Sequence, residues 1–360
     1  MKPHILELEA YPPGKPVEEL ERELGISGSI KLASNESPLG PSRRALEAAV
    51  QATEGLNRYP DGSSYYLREA LASQLGVAPE ALIFGTGSSE LLEILAKCVL
   101  GPGDEAVFPW PSFAMYPIVT RGMGAKPVEV ALDSDFRFDV ASVLSAVTDR
   151  TRVVFLANPN NPTGTSIGQA EFDVLVDGLP ERVILVHDEA YLDYVRRDDF
   201  PDTLAAIRRR PTVLSLRTFS KVYGLAGLRV GYAIGDPELV GYLERARHPF
   251  NVNSMAQAAA LGALRDADHL ARVRELTHRG LEKLERAFDE LGLAWARSDA
   301  NYVLVEVGDD AAGLYQRLLR RGVITRALGA FGLSSHLRVT VGLPEENDRF
   351  IEALRAELGR

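Results

Sequence analysis

Cysteine is nearly absent from this 360-residue chain. The one present, Cys98, excludes any intrachain disulfide, and its neighbours Leu91, Leu92, Ile94, Leu95 and Val99 predict a place on the buried face of a helix. Lysine is scarce as well, seven residues against thirty-three arginines, so a lysine in a turn between two buried strands is conspicuous. No apolar run reaches 18 residues, and the N-terminus has no basic start followed by an apolar stretch. Neither a membrane span nor a secretory leader is therefore expected, and the expected compartment is the cytoplasm. Positive charge is in deficit: the net charge is −10 and the pI about 5.3. That balance argues against a nucleic-acid-binding surface while leaving room for a local arginine cluster that recruits a small anion. Internal repeats and low-complexity tracts are also missing.

What remains is the composition of an ordinary folded protein, 46% hydrophobic and 25% charged. The length suits a large α/β domain with a smaller companion. Helical periodicity runs over Arg43–Thr53, Tyr65–Leu75 and Ser89–Leu100. Short β-branched runs follow at Ala106–Phe108, Pro127–Val130, Arg152–Ala157, Val183–His187, Thr212–Leu216 and Leu228–Ile234. Several are apolar throughout, as strands covered on both faces must be. Strands separated by helix-length segments predict right-handed crossovers and a mainly parallel sheet, with ligands at the carboxyl ends of the strands. Helical text from Val240 to Leu291 then leads to strands at Tyr302–Val307 and Leu337–Val341 and helices at Ala311–Arg321 and Glu345–Leu358. The expected division is an N-terminal arm, residues 1–40, that belongs to the small domain, a large domain over 41–250, and a connecting helix with the small α+β domain over 251–360.

Lys221 is the conspicuous lysine, in the turn between the strands at Thr212 and Leu228. It is either a solvated loop lysine or an amine whose pKa burial and cationic neighbours lower until it forms a Schiff base with an aldehyde. Thr218, Ser220 and Arg229 bracket it with two hydroxyls and a bidentate cation, a set that fits a phosphate. A second anion element is Gly85-Thr-Gly-Ser88-Ser89, a bare turn or a phosphate-binding helix start. Glu90 stands where a dinucleotide fingerprint requires glycine. Asp188, at the end of a buried strand, is either a helix N-cap or the partner of a cation such as a protonated ring nitrogen. Tyr191 lies three residues on, positioned to donate to a phenolate. Asn161, in a rigid Asn-Pro-Asn-Asn-Pro-Thr-Gly turn, is a second such donor. Phe113 either packs or stacks on an aromatic ligand, and His187 is expected to be structural. No metal is expected.

These motifs resemble the fold-type I enzymes that use pyridoxal 5′-phosphate (PLP), the class I and II aminotransferases, and within them the histidinol-phosphate aminotransferase family. The resemblance runs nearly end to end, through Tyr11-Pro-Pro-Gly-Lys-Pro, Lys31-Leu-Ala-Ser-Asn-Glu-Ser-Pro-Leu-Gly-Pro41, Asn57-Arg-Tyr-Pro-Asp-Gly, Asp188-Glu-Ala-Tyr191 and His336-Leu-Arg-Val-Thr-Val-Gly342. It implies an aldimine of PLP on Lys221, with Asp188 and Tyr191 as catalytic partners. Cofactor contacts would come from Ser88, Ser89, Phe113, Asn161, Thr218, Ser220 and Arg229. Tyr59 would reach the phosphate from the neighbouring subunit of a homodimer. Tyr11, Asn35, Arg326 and Arg338 would line the substrate pocket, with the arginines binding the phosphate of histidinol phosphate or the carboxylate of glutamate and 2-oxoglutarate in alternate half-reactions. The family often has Asn-Glu-Asn-Pro where this chain has Asn35-Glu36-Ser37-Pro38, and Ser-Asp-Glu at Ser88-Ser89-Glu90. An aromatic amino acid aminotransferase and a threonine-phosphate-type decarboxylase of the same fold are the alternative readings.

Overall fold

The computed structural model describes residues 1–6, 8 and 14–359. Tyr11 lies outside the described residues, as do Pro12 and Pro13. The two-residue strand β1 (Ile30–Lys31) is followed by the seven strands of the largest sheet: β2 (Leu82–Gly85), β3 (Glu105–Trp110), β4 (Lys126–Ala131), β5 (Thr151–Ala157), β6 (Ile184–Asp188), β7 (Val213–Thr218) and β8 (Gly231–Ile234). Their order is β2-β8-β7-β6-β5-β3-β4. Pairs among β3 to β7 are parallel. β8 departs from the expected crossover pattern, running antiparallel to both β2 and β7.

Apolar runs become central strands because both faces are covered. In β5, Val153 and Phe155 pack with Leu95, Phe108 and Val186 on one side, while Val154 and Leu156 pack with Phe172, Leu175 and Leu185 on the other. Helix Ser88–Val99 lies on the first face and helix Gln169–Gly178 on the second. Contrary to expectation, Cys98 is exposed. Its neighbours Ala96, Val99 and Leu100 do pack into the core, while the thiol lies 4.0 Å from the carbonyl oxygen of Tyr242.

A second core gathers around β9 (Trp295–Ala296), β10 (Tyr302–Glu306), β11 (Val323–Ile324), β12 (Arg326–Leu328) and β13 (Leu333–Thr340). Four of these strands form an antiparallel sheet in the order β12-β13-β10-β9, while β11 pairs with β1. Leu281, Leu284 and Phe288 of the long helix Ala267–Glu290 bury against Val303, Val305, Leu337, Val339 and Phe350. Leu32, just after β1, joins that core, which brings residues 33–36 between the two sheets.

Candidate active site

The antiparallel turn of β8 builds one wall of the site. The chain leaves the carboxyl end of β7 at Thr218, loops through Lys221, and re-enters the sheet at Gly231, which pairs with Thr218. Thr218, Ser220, Lys221 and Arg229 are thus held along one sheet edge, next to the ends of β6 and β5. A cavity of about 400 Å³ opens there, lined by every predicted site residue among the described residues except Tyr59. A wider cleft of about 910 Å³ between β9, β10 and residues 134–137 holds none of them. Two of its arginines are already engaged, Arg137 by Glu171 and Arg197 by Asp199.

Asp188 is the last residue of β6 and is buried. Its Oδ2 accepts from the hydroxyl of Tyr116 at 3.0 Å, and its Oδ1 accepts from the amide of Ala190 at 3.2 Å. Burial raises its pKa to about 6, against the pull of those two donors. Lys221 sits across the cavity, its Nζ 5.6 Å from the ring centroid of Tyr191 and 3.4 Å from the carbonyl oxygen of Ser34. Burial, then the nearby charge of Arg338, lowers its pKa to about 8. About a tenth of its amine is therefore unprotonated at pH 7, against less than about a thousandth at the ordinary lysine value, and the free amine is the state a nucleophilic or basic lysine requires. Tyr191 Oη accepts from Asn35 Nδ2 at 2.8 Å. Asn35 has a left-handed φ of 56°, and is held there by Asn301 on its carbonyl and by Thr340 on its side chain.

The anion cradle is where backbones come closest. Gly87, with φ of 77°, precedes helix Ser88–Val99. A Cβ on Gly87 would stand 2.4 Å from an Arg229 nitrogen, and one on Gly231 would stand 2.6 Å from the Ser88 amide nitrogen. Only hydrogen at both positions lets the helix start and the guanidinium converge. Ser220 N–H donates to Thr218 Oγ1 at 3.0 Å, ordering the hydroxyl side of the cradle. At the other end of the cavity Arg338, buried, donates to the carbonyl of Ala33 and to Asn161 Oδ1, which leaves the Asn161 amide nitrogen as its donor. Arg326 and Lys31 line the same end. The cavity thus has two cationic ends with an amine, a carboxylate and an aromatic residue, Phe113, between them. Such a donor set fits an aromatic phosphate ester with a ring nitrogen, the group that the resemblance implies.

Tyr59 lies elsewhere. It is 83% exposed and stacks on Phe250 with ring centroids 4.9 Å apart. His187 is structural, as expected: buried between Phe172 and Phe200, it contacts Thr203 at 2.6 Å and Asn158 at 3.2 Å, and burial lowers its pKa to about 4. Three residues went unassigned in the sequence reading. Tyr116 touches Asp188, while Lys31 and Glu36 form an ion pair of 3.0 Å at the cavity. The Phe113-x-x-Tyr116 spacing, which puts two aromatic residues on one side of a turn, is the signal that could have flagged the first.

The family profile "Aminotransferase class I and II" matches residues 27–354. Among curated relatives, the histidinol-phosphate aminotransferase of Moorella thermoacetica is 47% identical over 98% of this chain and 91% of its own length. A histidinol-phosphate aminotransferase 2 of Pseudomonas fluorescens is also 47% identical, over 100% of this chain and 97% of its own. Among solved structures, histidinol-phosphate aminotransferase from Sinorhizobium meliloti, in complex with pyridoxal 5′-phosphate, superposes with a TM-score of 0.91 at 31% identity, covering 99% and 98% of the two chains. A mutant aspartate aminotransferase of Thermus thermophilus superposes at 0.82 with 26% identity, covering 98% and 99%.

Proposed function

We propose that this chain, which belongs to the class I and II aminotransferase family, moves the amino group of histidinol phosphate to 2-oxoglutarate with PLP as its cofactor. The observation that carries the reading is the pair of cationic ends in one cavity. Arg229 with the start of helix Ser88–Val99 would hold the cofactor phosphate, and Arg338 with Arg326 would hold the substrate's phosphate or carboxylate. When bound, PLP supplies an aldehyde that condenses with primary amines and a ring that withdraws electrons from the substrate carbon.

The chain's own residues do the rest. Lys221 Nζ is the amine that holds the cofactor and, once released, takes the proton from the carbon bearing the substrate's amino group; its pKa of about 8 suits both roles. Asp188 stabilises positive charge on the ring nitrogen. Tyr191 and Asn161 hold the ring oxygen, Phe113 packs on the ring, and Asn35 positions Tyr191. Alternation of two substrates at one cationic end makes the kinetics ping-pong. The same reading makes the protein a cytoplasmic homodimer in which Tyr59 serves the neighbouring site, and divides the chain at about residues 40 and 250.

The test is a half-reaction titration of the PLP-loaded protein with histidinol phosphate and, separately, phenylalanine, following loss of the cofactor's visible absorbance. Saturation at a histidinol phosphate concentration at least tenfold below that needed for phenylalanine is expected. The reverse order would make the chain an aromatic amino acid aminotransferase.

A further inference from the structure

Tyr116 occupies a position that the proposed catalytic cycle leaves without a task. Its ring is fully buried, parallel to Phe155 (centroids 4.8 Å, planes 1° apart) and edge-on to Phe113 (5.7 Å, 89°). Its hydroxyl reaches 72 residues along the chain to Asp188 Oδ2 at 3.0 Å. A phenol buried among aromatic rings needs a partner for its proton, and here the partner is Asp188, the buried carboxylate among the described lining residues of the cavity. The amide of Ala190 holds the other oxygen. Two donors on two elements therefore fix the plane of the carboxyl.

We propose that Tyr116 is a positioning residue for Asp188: its hydroxyl locks the carboxyl into one orientation, and its ring, through the edge contact with Phe113, couples that orientation to the aromatic wall of the cofactor site. The proposal rests on the assignment of Asp188 to the cofactor. Phe155 and Phe113 supply shape only, so the hydrogen bond is separable from the packing. Tyr116→Phe removes one oxygen and keeps the ring.

The groups facing Asp188 are Tyr116 from the helix Met115–Gly122, Lys221 from the loop after β7, Tyr302 from β10, and Glu189 and Tyr191 from its own segment. Among these, Tyr116 supplies the side-chain hydrogen bond. Burial raises the Asp188 pKa and this bond opposes the rise.

The experiment is a carbon-13 NMR titration of the Asp188 carboxyl in the full chain freed of cofactor, beside PLP dissociation constants for wild type, Tyr116→Phe, Asp188→Asn and the double variant. In Tyr116→Phe the acid dissociation constant of Asp188 is expected to fall about tenfold, the size of one charge-assisted hydrogen bond. PLP binding is expected to weaken by a similar factor, and in the Asp188→Asn background the same change should have no further effect. An unmoved titration in Tyr116→Phe, or a penalty that is undiminished in Asp188→Asn, would overturn the proposal and leave Tyr116 as packing. Failure of the assignment beneath it has a different signature: Asp188→Asn alone would then leave PLP binding unchanged, while the titration still reports on the Tyr116 bond.

Discussion

Burial at the end of β6 lifts Asp188 from the ordinary carboxylate value of 3.8 to about 6, and through linkage that shift makes folding depend on pH. A carboxyl whose folded pKa is raised contributes stability in full below its unfolded value, and loses it as the pH rises through the folded value. The window is therefore about pH 4 to 6, with the cost complete above it. A difference from 3.8 to about 6 corresponds to roughly 3 kcal/mol. Asp188→Asn removes the charge and keeps the shape, and the Tyr116 hydroxyl can rotate to suit an amide. The cofactor-free variant is expected to be about 2 kcal/mol more stable than wild type at pH 8 and no more stable at pH 4, as read by urea denaturation. Equal stabilities at pH 8 would show that Asp188 is ionised at no cost in the folded chain. On the proposed role of Asp188, the fold tolerates this cost for function.

At the scale of elements, the turn from β7 into β8 decides what the site can hold. Gly231 pairs with Thr218 and faces the start of helix Ser88–Val99, where a Cβ would meet backbone atoms, Ser88 N at 2.6 Å and the Gly87 carbonyl carbon at 2.9 Å. Backbone cannot yield as a side-chain tip can, so Gly231→Ala must push the helix start away from Arg229. Overpacking of this kind costs about 1–3 kcal/mol; if it falls on the cradle, PLP affinity drops roughly 10- to 100-fold while the helical circular dichroism stays the same. An unchanged PLP titration would put the phosphate elsewhere. Much of this arrangement was legible in the sequence. Buried strands announced themselves as apolar runs, and the Lys221 turn stood out because lysine is rare. The direction of β8 was not legible, since strand pattern carries no sign of parallel or antiparallel pairing. β2 escaped notice because Leu82-Ile-Phe-Gly85 is too short, and too close to the glycine turn, to stand as a run. The bond between Tyr116 and Asp188 was hidden for a different reason: it joins a helix start to a strand end through tertiary packing alone. Cys98 was misplaced because the apolar neighbours that flank it, Ala96, Val99 and Leu100, do pack while it does not, a distinction that composition alone does not carry.

For the whole molecule, the helix Arg43–Ala52 shows two faces of different character. Ala45 and Ala49 are buried in the core shared with the helix Ser254–Leu264, whereas Leu46 and Val50, one residue on from each and so about 100° round the helix, are 51% and 67% exposed. Leu56, Tyr59, Tyr65 and Tyr66 continue the exposed apolar set along the next segment. In the proposed homodimer these exposed apolar residues would form the association surface, and the second copy would also bring Tyr59 to a cofactor site it does not reach in its own subunit. Sedimentation velocity is accordingly expected to give twice 39.3 kDa. Val50→Asp, which places a charge in the middle of that surface, should shift the protein toward monomer and release PLP together with the partner. Tyr59→Phe should leave the dimer intact and weaken PLP by about tenfold, the size of one hydrogen bond to a charged phosphate. The two variants separate assembly from cofactor contact. A monomeric Val50→Asp that retains PLP as wild type does would show that each subunit completes its own site, and Tyr59 would then be a surface residue stacked on Phe250 and nothing more.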